Sequence, residues 1–228
     1  MNEIRIEESA PAIDETIIAR YRMLSAALVS DALGGRHATT GIGPIGDSLD
    51  RFGGTPVVGT AFTVLTRPGD NLAVHRAVDD ARPGDVLVVD ARADMNWGIV
   101  GELVTSHAAV RGLAAILVDG AVRDRAAISG GAIPVFARGI SHAGPQKLGP
   151  GALHAPVSIC GVVVADGDLV IADQDGATFV PRAQLHSALA GAETIASGED
   201  ATRAAIAAGT WDRSWIAGAA NWVETAEG

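Results

Sequence analysis

Residues 97–124 read WGIVGELVTSHAAVRGLAAILVDGAVRD. Within them, residues 98–111 read as a loop entering a helix, and Gly112 stops that helix. The apolar run 114–118 (AAILV) is a buried strand. Gly120 then lets the chain turn sharply off the strand, and two opposite charges follow, Arg123 and Asp124. They lie one helix, one strand and one turn beyond Gly101. In a strand–helix–strand unit both segments emerge at the same edge of the sheet, where ligands tend to bind. The stretch therefore predicts an α/β fold with residues 101–104 close to Arg123 and Asp124.

Outward from this unit the same alternation continues. Residues 14–23 are amphipathic, with Ile17, Ile18, Tyr21 and Leu24 on one side, and Ser25 caps a second short helix that Gly34 and Gly35 stop. Residues 36–54 read as a loop, and 56–66 as a strand with a bulge at Gly59. Asn71 caps a helix over 71–81, and a Pro-Gly turn leads into a strand at 86–89. Further strands fall at 133–137, 156–164, 169–172 and 178–180, then an alanine-rich helix over 182–208 and a tail with three of the four tryptophans. GDVLVVD (84–90) and GDLVIAD (167–173) echo each other as turn-plus-buried-strand units, too short a likeness for a duplicated domain. Helices alternate with strands in the middle and vanish near 155–180. This predicts one mixed α/β domain over 1–228 with a sizeable β layer.

Composition narrows the function classes. A chain of 228 residues with 48% apolar and 19% charged side chains is globular. It is long enough to bury roughly 70% of its unfolded surface without staples. A formal net charge of −10, with no Lys/Arg stripe, argues against a nucleic-acid partner. An anionic substrate is compatible, because it answers to the local field. The lone cysteine, Cys160, makes no internal disulfide or thiolate zinc site, and its apolar neighbours predict a buried, inert thiol. The acidic first residues do not resemble a signal peptide, and no apolar run approaches the roughly 20 residues of a spanning helix. The expectation is a cytoplasmic protein without a membrane partner.

Chemistry concentrates in residues 101–124. Gly101 frees the backbone for close approach, and the first N–H groups of the following helix have no internal partner, so that end can hold an anion. An arginine fork grips a carboxylate at two points. A single aspartate with several waters can hold Mg²⁺ or Mn²⁺. The alternatives are an ordinary helix start and a surface ion pair. Taken together, the groups suit a small 2-oxo acid, with the helix N–H groups and Arg123 on its carboxylate and a metal on Asp124 stabilising the enolate left by C–C cleavage.

These segments resemble the RraA-like family, which contains 4-hydroxy-4-methyl-2-oxoglutarate aldolases and the regulator of ribonuclease activity A. The matching stretches are LSAALVSDALGG, VVGTAFTV, RPGDVLVVD, residues 97–124, PVFARGI and GPGALHAPVSICGVVVADGDLVIADQDGATFVP, over roughly residues 24–181, with 182–228 as a C-terminal helix and Trp-rich tail. The resemblance implies a single domain with a β-rich core of the swivelling β/β/α type flanked by helices, assembled as homotrimers or hexamers. It implies that Gly101, Glu102, Leu103 and Val104 form the substrate-carboxylate loop. Arg123 would bind substrate, Asp124 would anchor a divalent metal (Mg²⁺ or Mn²⁺), and Arg123, Asp124 and Glu102 would be catalytic. An acidic residue of a neighbouring subunit, with Glu193 and Glu199 as candidates, would complete the site. The implied activity is metal-dependent cleavage of 4-hydroxy-2-oxo acids to pyruvate, with oxaloacetate decarboxylation by the same enolate chemistry. A ribonuclease-binding regulator and a lyase or hydrolase on another carboxylated substrate are the alternatives.

Some residues stand outside that pattern. His107 falls on the helix after the loop and predicts a structural histidine on its buried face. His37, His142 and His154 read as loop or turn residues. Lys147, in a Pro/Gly-rich exposed segment, does not suit a Schiff base. The tail tryptophans predict packing against the core or a subunit.

Overall fold

The computed structural model describes residues 3–223. In chain order the elements are β1 (Ile4–Ile6), α1 (Glu15–Tyr21), α2 (Ala26–Ala32), β2 (Gly43–Pro44), β3 (Val57–Thr66), α3 (Leu72–Asp80), β4 (Asp85–Val100), α4 (Glu102–Val110) and β5 (Ala115–Val122). There follow α5 (Arg125–Ser129), β6 (Val135–Ile140), β7 (Gly151–Leu153), β8 (Val157–Ile159), β9 (Val162–Val164), β10 (Leu169–Asp173), β11 (Gly176–Val180), α6 (Leu185–Ala207) and α7 (Trp215–Ala219).

The frame is a parallel run, β3-β4-β5-β6, inside one large mixed sheet. One edge of β3 is shared: Val64–Thr66 pairs antiparallel with β7, and 57–60 pairs antiparallel with β10. Side chains alternate across the sheet, as a strand's period of two requires. Leu87, Val89, Ile116 and Val118 join the core under α3 and α4. Val86, Val88, Leu117 and Phe136 point the other way, onto the β8–β9 hairpin and β10–β11. A third cluster packs α1, α2 and α6 on Leu169, Ile171 and Val180. Each such side chain, fully buried, contributes roughly 1.5–3 kcal/mol. This is the mixed α/β, β-rich arrangement expected from the alternation of patterns.

Several local expectations are corrected. The strand expected at 86–89 continues through β-bulges to Val100, so Trp97 and Gly98 end β4 instead of forming a loop. Gly59 is no bulge: its register with Val170 is regular, and a Cβ there would run into Gly84 O and Val86 Cγ2. Gly120 makes no turn either. It lies within β5, where a Cβ would sit 2.9 Å from Ala91 Cβ, so its role is to admit the bulged β4. Strands β1, β2 and β7 and the short helix α5 were not legible, being too brief to show a period. In the tail, Trp211, Trp215 and Trp222 are 42%, 62% and 65% exposed, so they do not pack on this chain's core. Residues 224–228 of the tail lie outside the described residues.

Candidate active site

Strands β4 and β5 end side by side, and α4 begins where β4 stops. Gly101 occupies the N-cap of α4 in an extended conformation. A Cβ at Gly101 would lie 2.5 Å from Asp124 Oδ2 and 2.8 Å from Arg123 Cγ, and one at Gly98 would lie 2.8 Å from Arg123 Cβ. The two glycines therefore make the space in which Arg123 and Asp124 stand against the end of β4. Asp124 itself makes the turn off β5, at φ 59 and ψ 41. This left-handed conformation is tolerated best by Asn, Asp and Gly. It aims the carboxylate back at α4.

The contacts follow from that turn. Asp124 Oδ2 accepts a hydrogen bond from Glu102 N at 3.1 Å, and Arg123 Nε donates to Asp124 Oδ1 at 3.3 Å. Both side chains remain about 40% accessible (40% for Arg123 and 38% for Asp124), so the pair is an open one. Val104 N and Thr105 N both turn back to Gly101 O. Among the described residues Leu103 N has no protein acceptor, which leaves it as the first-turn donor available to a ligand.

These groups border one cleft of about 180 Å³. Gly101, Leu103, Val104, Arg123 and Asp124 all line it, so five of the six residues singled out in the sequence share one cleft. Glu102, the sixth, does not line it: its N–H is taken by Asp124, and its carboxylate accepts from Ser106 Oγ at 2.7 Å, one turn along α4. A hollow of about 640 Å³ opens elsewhere, between β1 and the end of β3, lined by Arg5, Arg67 and Arg92 among others. The smaller cleft is the better candidate, because it gathers the carboxylate, the guanidinium and the helix start.

The same cleft is also lined by residues that the sequence did not single out for the site: Asn71, His75 and Lys147. Asn71 sits at the N-cap of α3 but makes no side-chain cap there, contrary to expectation. Its Nδ2 instead donates to Ile99 O at 2.9 Å, and Leu72 N is taken by Asp70 Oδ1 at 3.0 Å. Burial pushes the His75 pKa below its usual value, and the nearby Lys147 charge adds to the effect. The spacing of Asn71 and His75, one helical turn apart beside the buried face of an amphipathic helix (Ala73, Val74, Ala77, Val78), was the available signal.

The remaining candidates lie elsewhere. His107 is 52% exposed and holds Asp79 at 2.8 Å, bridging α4 to α3, so it is not on a buried face. His154 is buried, with its ring centroid 4.3 Å from that of Phe62 and Nδ1 3.0 Å from Asp166 Oδ1, so it is no solvated loop residue. Cys160 is only partly buried. Arg138 Nη2 donates to its sulfur at 3.3 Å, and burial raises the thiol's pKa above its ordinary value. Glu193 is gripped by Arg20, and Glu199 pairs with Arg203 at 2.9 Å on the same helix. Among the described residues no three acidic, His or Cys side chains converge as a metal cage. Asp124 alone offers an accessible carboxylate in the cleft, a donor set that suits a hard, mostly hydrated cation and not zinc. No helix among the described residues is long and apolar enough to cross a membrane.

Comparison with known proteins places these features in a wider set. A sequence model of the RraA-like family, described as Aldolase/RraA, matches residues 26–179. A protein of Halalkalibacterium halodurans, provisionally named 4-hydroxy-4-methyl-2-oxoglutarate aldolase, is 37% identical over 190 residues, covering 83% of this chain and 88% of that one. An uncharacterised protein of Pseudomonas syringae pv. tomato shares the fold, with a TM-score of 0.75 at 24% identity over 88% of this chain and 96% of that one. So does RraAS2 of Streptomyces coelicolor, described as an unusual member of the RNase ES inhibitor RraA family, with a TM-score of 0.73 at 25% identity over 85% and 98% of the two chains.

Proposed function

The chain belongs to the RraA-like family, and from that premise we propose that it is a divalent-metal-dependent aldolase that cleaves 4-hydroxy-2-oxo acids to release pyruvate. The observation that carries this reading is the shared cleft of Asp124, Arg123 and the start of α4. The provisional name of the Halalkalibacterium halodurans relative supports the same chemistry.

The roles follow from charge and position. Arg123 binds the oxo-acid end of the substrate, and Leu103 N donates to its carboxylate at the positive end of α4. Asp124 would hold Mg²⁺ or Mn²⁺, which when bound would supply Lewis-acid stabilisation of the charge that develops on C–C cleavage. Glu102, held by Ser106 beside the cleft, is the carboxylate available for proton transfer through water. Decarboxylation of oxaloacetate draws on the same arrangement. As in the resemblance, a homotrimer or hexamer would bring an acidic residue of a second copy towards the cleft. Glu199 suits that role better than Glu193, whose carboxylate Arg20 grips in two places.

The test is a pyruvate-release assay over a panel of 4-hydroxy-2-oxo acids and oxaloacetate, with and without chelator. Metal-dependent turnover that disappears in Asp124→Ala is the expected result. Full activity of that variant in chelator would overturn the proposal. The likeness to RraAS2 favours one second reading, a ribonuclease-binding regulator. Tight ribonuclease binding with no turnover on any oxo acid would support it instead.

A further inference from the structure

Two chain segments that line the cleft, carrying Asn71 and Lys147, are held together by one buried carboxylate. The Asp70 side chain is completely buried. Its Oδ1 accepts from Leu72 N at 3.0 Å, and its Oδ2 accepts from Leu148 N at 2.7 Å and from Arg67 Nη2 at 3.1 Å. Arg67 reaches the same distant segment directly, with Nε on Gly149 O at 2.5 Å and Nη2 on Gln146 Oε1 at 2.6 Å. The backbones are sewn as well: Gln146 N donates to Gly69 O at 2.8 Å, and Asn71 N donates to Gln146 O at 3.0 Å.

The residues left over by this clasp border the cleft. Lys147 stands between the two tethered residues, Gln146 and Leu148, and lines the cleft. Among the described residues its ammonium has no carboxylate partner within salt-bridge distance. Asn71 is 4% exposed, and its Oδ1 has no donor among the described residues. The amide cannot be turned over, because Nδ2 must face Ile99 O, which only accepts. A cation without a carboxylate partner and a buried acceptor without a donor thus border, among the described residues, the same cleft as Arg123.

We propose that the Arg67–Asp70 pair is a positioning device for this cleft: it fixes Lys147 where the ammonium grips an anionic group of the ligand. Arg67 and Asp70 touch no ligand themselves and act through the segment they hold. The inference rests on the proposed oxo-acid chemistry for its meaning, but its test does not depend on turnover.

The experiment is a double-mutant cycle between Arg67→Met and Lys147→Met, read by calorimetric titration of the full chain with oxalate in the presence of Mg²⁺. Where turnover exists, the split between KM and kcat for pyruvate release is read as well. Lys147→Met is expected to weaken oxalate binding on the order of tenfold, the scale of one charge-assisted hydrogen bond. Arg67→Met should do nearly the same, with no further loss in the double variant. KM should rise in the single variants more than kcat falls. Arg67→Lys, which keeps the charge but not the fork, should recover part of the affinity. If Arg67→Met does not fold, Arg67→Lys and Asp70→Asn take its place in the cycle. Additive losses, or no effect of Lys147→Met on oxalate, would overturn the inference, and so would failure of the wild-type protein to bind oxalate. Coupled loss of oxalate affinity in a protein without lyase turnover would keep the clasp and discard the aldolase.

Discussion

Asp124 accepts a hydrogen bond from the backbone of Glu102, 22 positions earlier in the chain, at 3.1 Å. The residue that ends one strand–helix–strand crossover thereby caps the helix inside it. Its carboxylate lies against the first turn of α4, which gives a cation or an anionic ligand a defined place to meet it.

This double role separates two substitutions. Asp124→Asn keeps an acceptor for Glu102 N and a residue type that tolerates the left-handed turn. It is expected to stay within about 0.5 kcal/mol of wild-type stability. Asp124→Ala loses the cap and strains the turn, for a loss of about 1–2 kcal/mol. Both are expected to lose metal-dependent pyruvate release. Urea midpoints beside the assay check the pair, and an active Asp124→Asn would show that the negative charge is not needed.

Gly101→Ala tests the close packing of the site. Its backbone conformation suits alanine, but the new methyl would press on Asp124 Oδ2 and Arg123 Cγ. Turnover is expected to fall by about 10²-fold, the scale of a 1 Å misplacement, with the far-UV spectrum unchanged. Wild-type kcat/KM in this variant would mean that the carboxylate's placement is not critical.

His75 supplies a pH dependence. Its folded pKa lies below the ordinary 6.5, chiefly through burial. As pH falls below about 6.5 the unfolded chain takes up a proton that the folded chain resists, so stability declines towards the folded pKa. The urea midpoint of the wild type should therefore drop further between pH 7.5 and 5.5 than that of His75→Gln. Parallel declines in the two proteins would show that His75 is not responsible.

Tyr21 is the only tyrosine, so its ionisation can be followed without interference from another phenol. Burial pushes its pKa up to about 12, and its hydroxyl donates to Leu185 O at 2.7 Å, tying α1 to α6. The unfolded phenol ionises near 10, so stability is expected to fall as pH rises from about 10 towards 12. Absorbance near 295 nm should stay flat until then and rise together with unfolding. A reversible titration near 10 in the folded protein would place Tyr21 in solvent.

Much of this molecule is legible locally. Ser25 caps α2 through Leu28 N at 3.2 Å, as its position before an apolar run suggests. The echoed GDVLVVD and GDLVIAD segments form comparable units, with Asp85 Oδ2 accepting from Arg82 N and Asp168 Oδ2 from Ala165 N, each at 2.9 Å. Yet one strand, β4, runs parallel to β3 and the other, β10, antiparallel to it. That difference supports convergence on a turn motif and not duplication. Asn71 shows where local reasoning fails: it occupies a capping position, but its Nδ2 donates to Ile99 O, its Oδ1 takes no helix N–H, and the acceptor of Leu72 N is Asp70.

Periodicity and turn chemistry by themselves determined the α/β class, the longer helices and the longer strands, since those depend on which residues recur at 3.6 or 2 positions. They also brought residues 101–104 together with Arg123 and Asp124, because a single crossover links them. The part of the cleft lined by Asn71 and Lys147 was decided only by the tertiary structure. Leu148 reaches Asp70 across 78 positions, and a hydrogen bond between such distant residues leaves no mark on the local pattern of either segment.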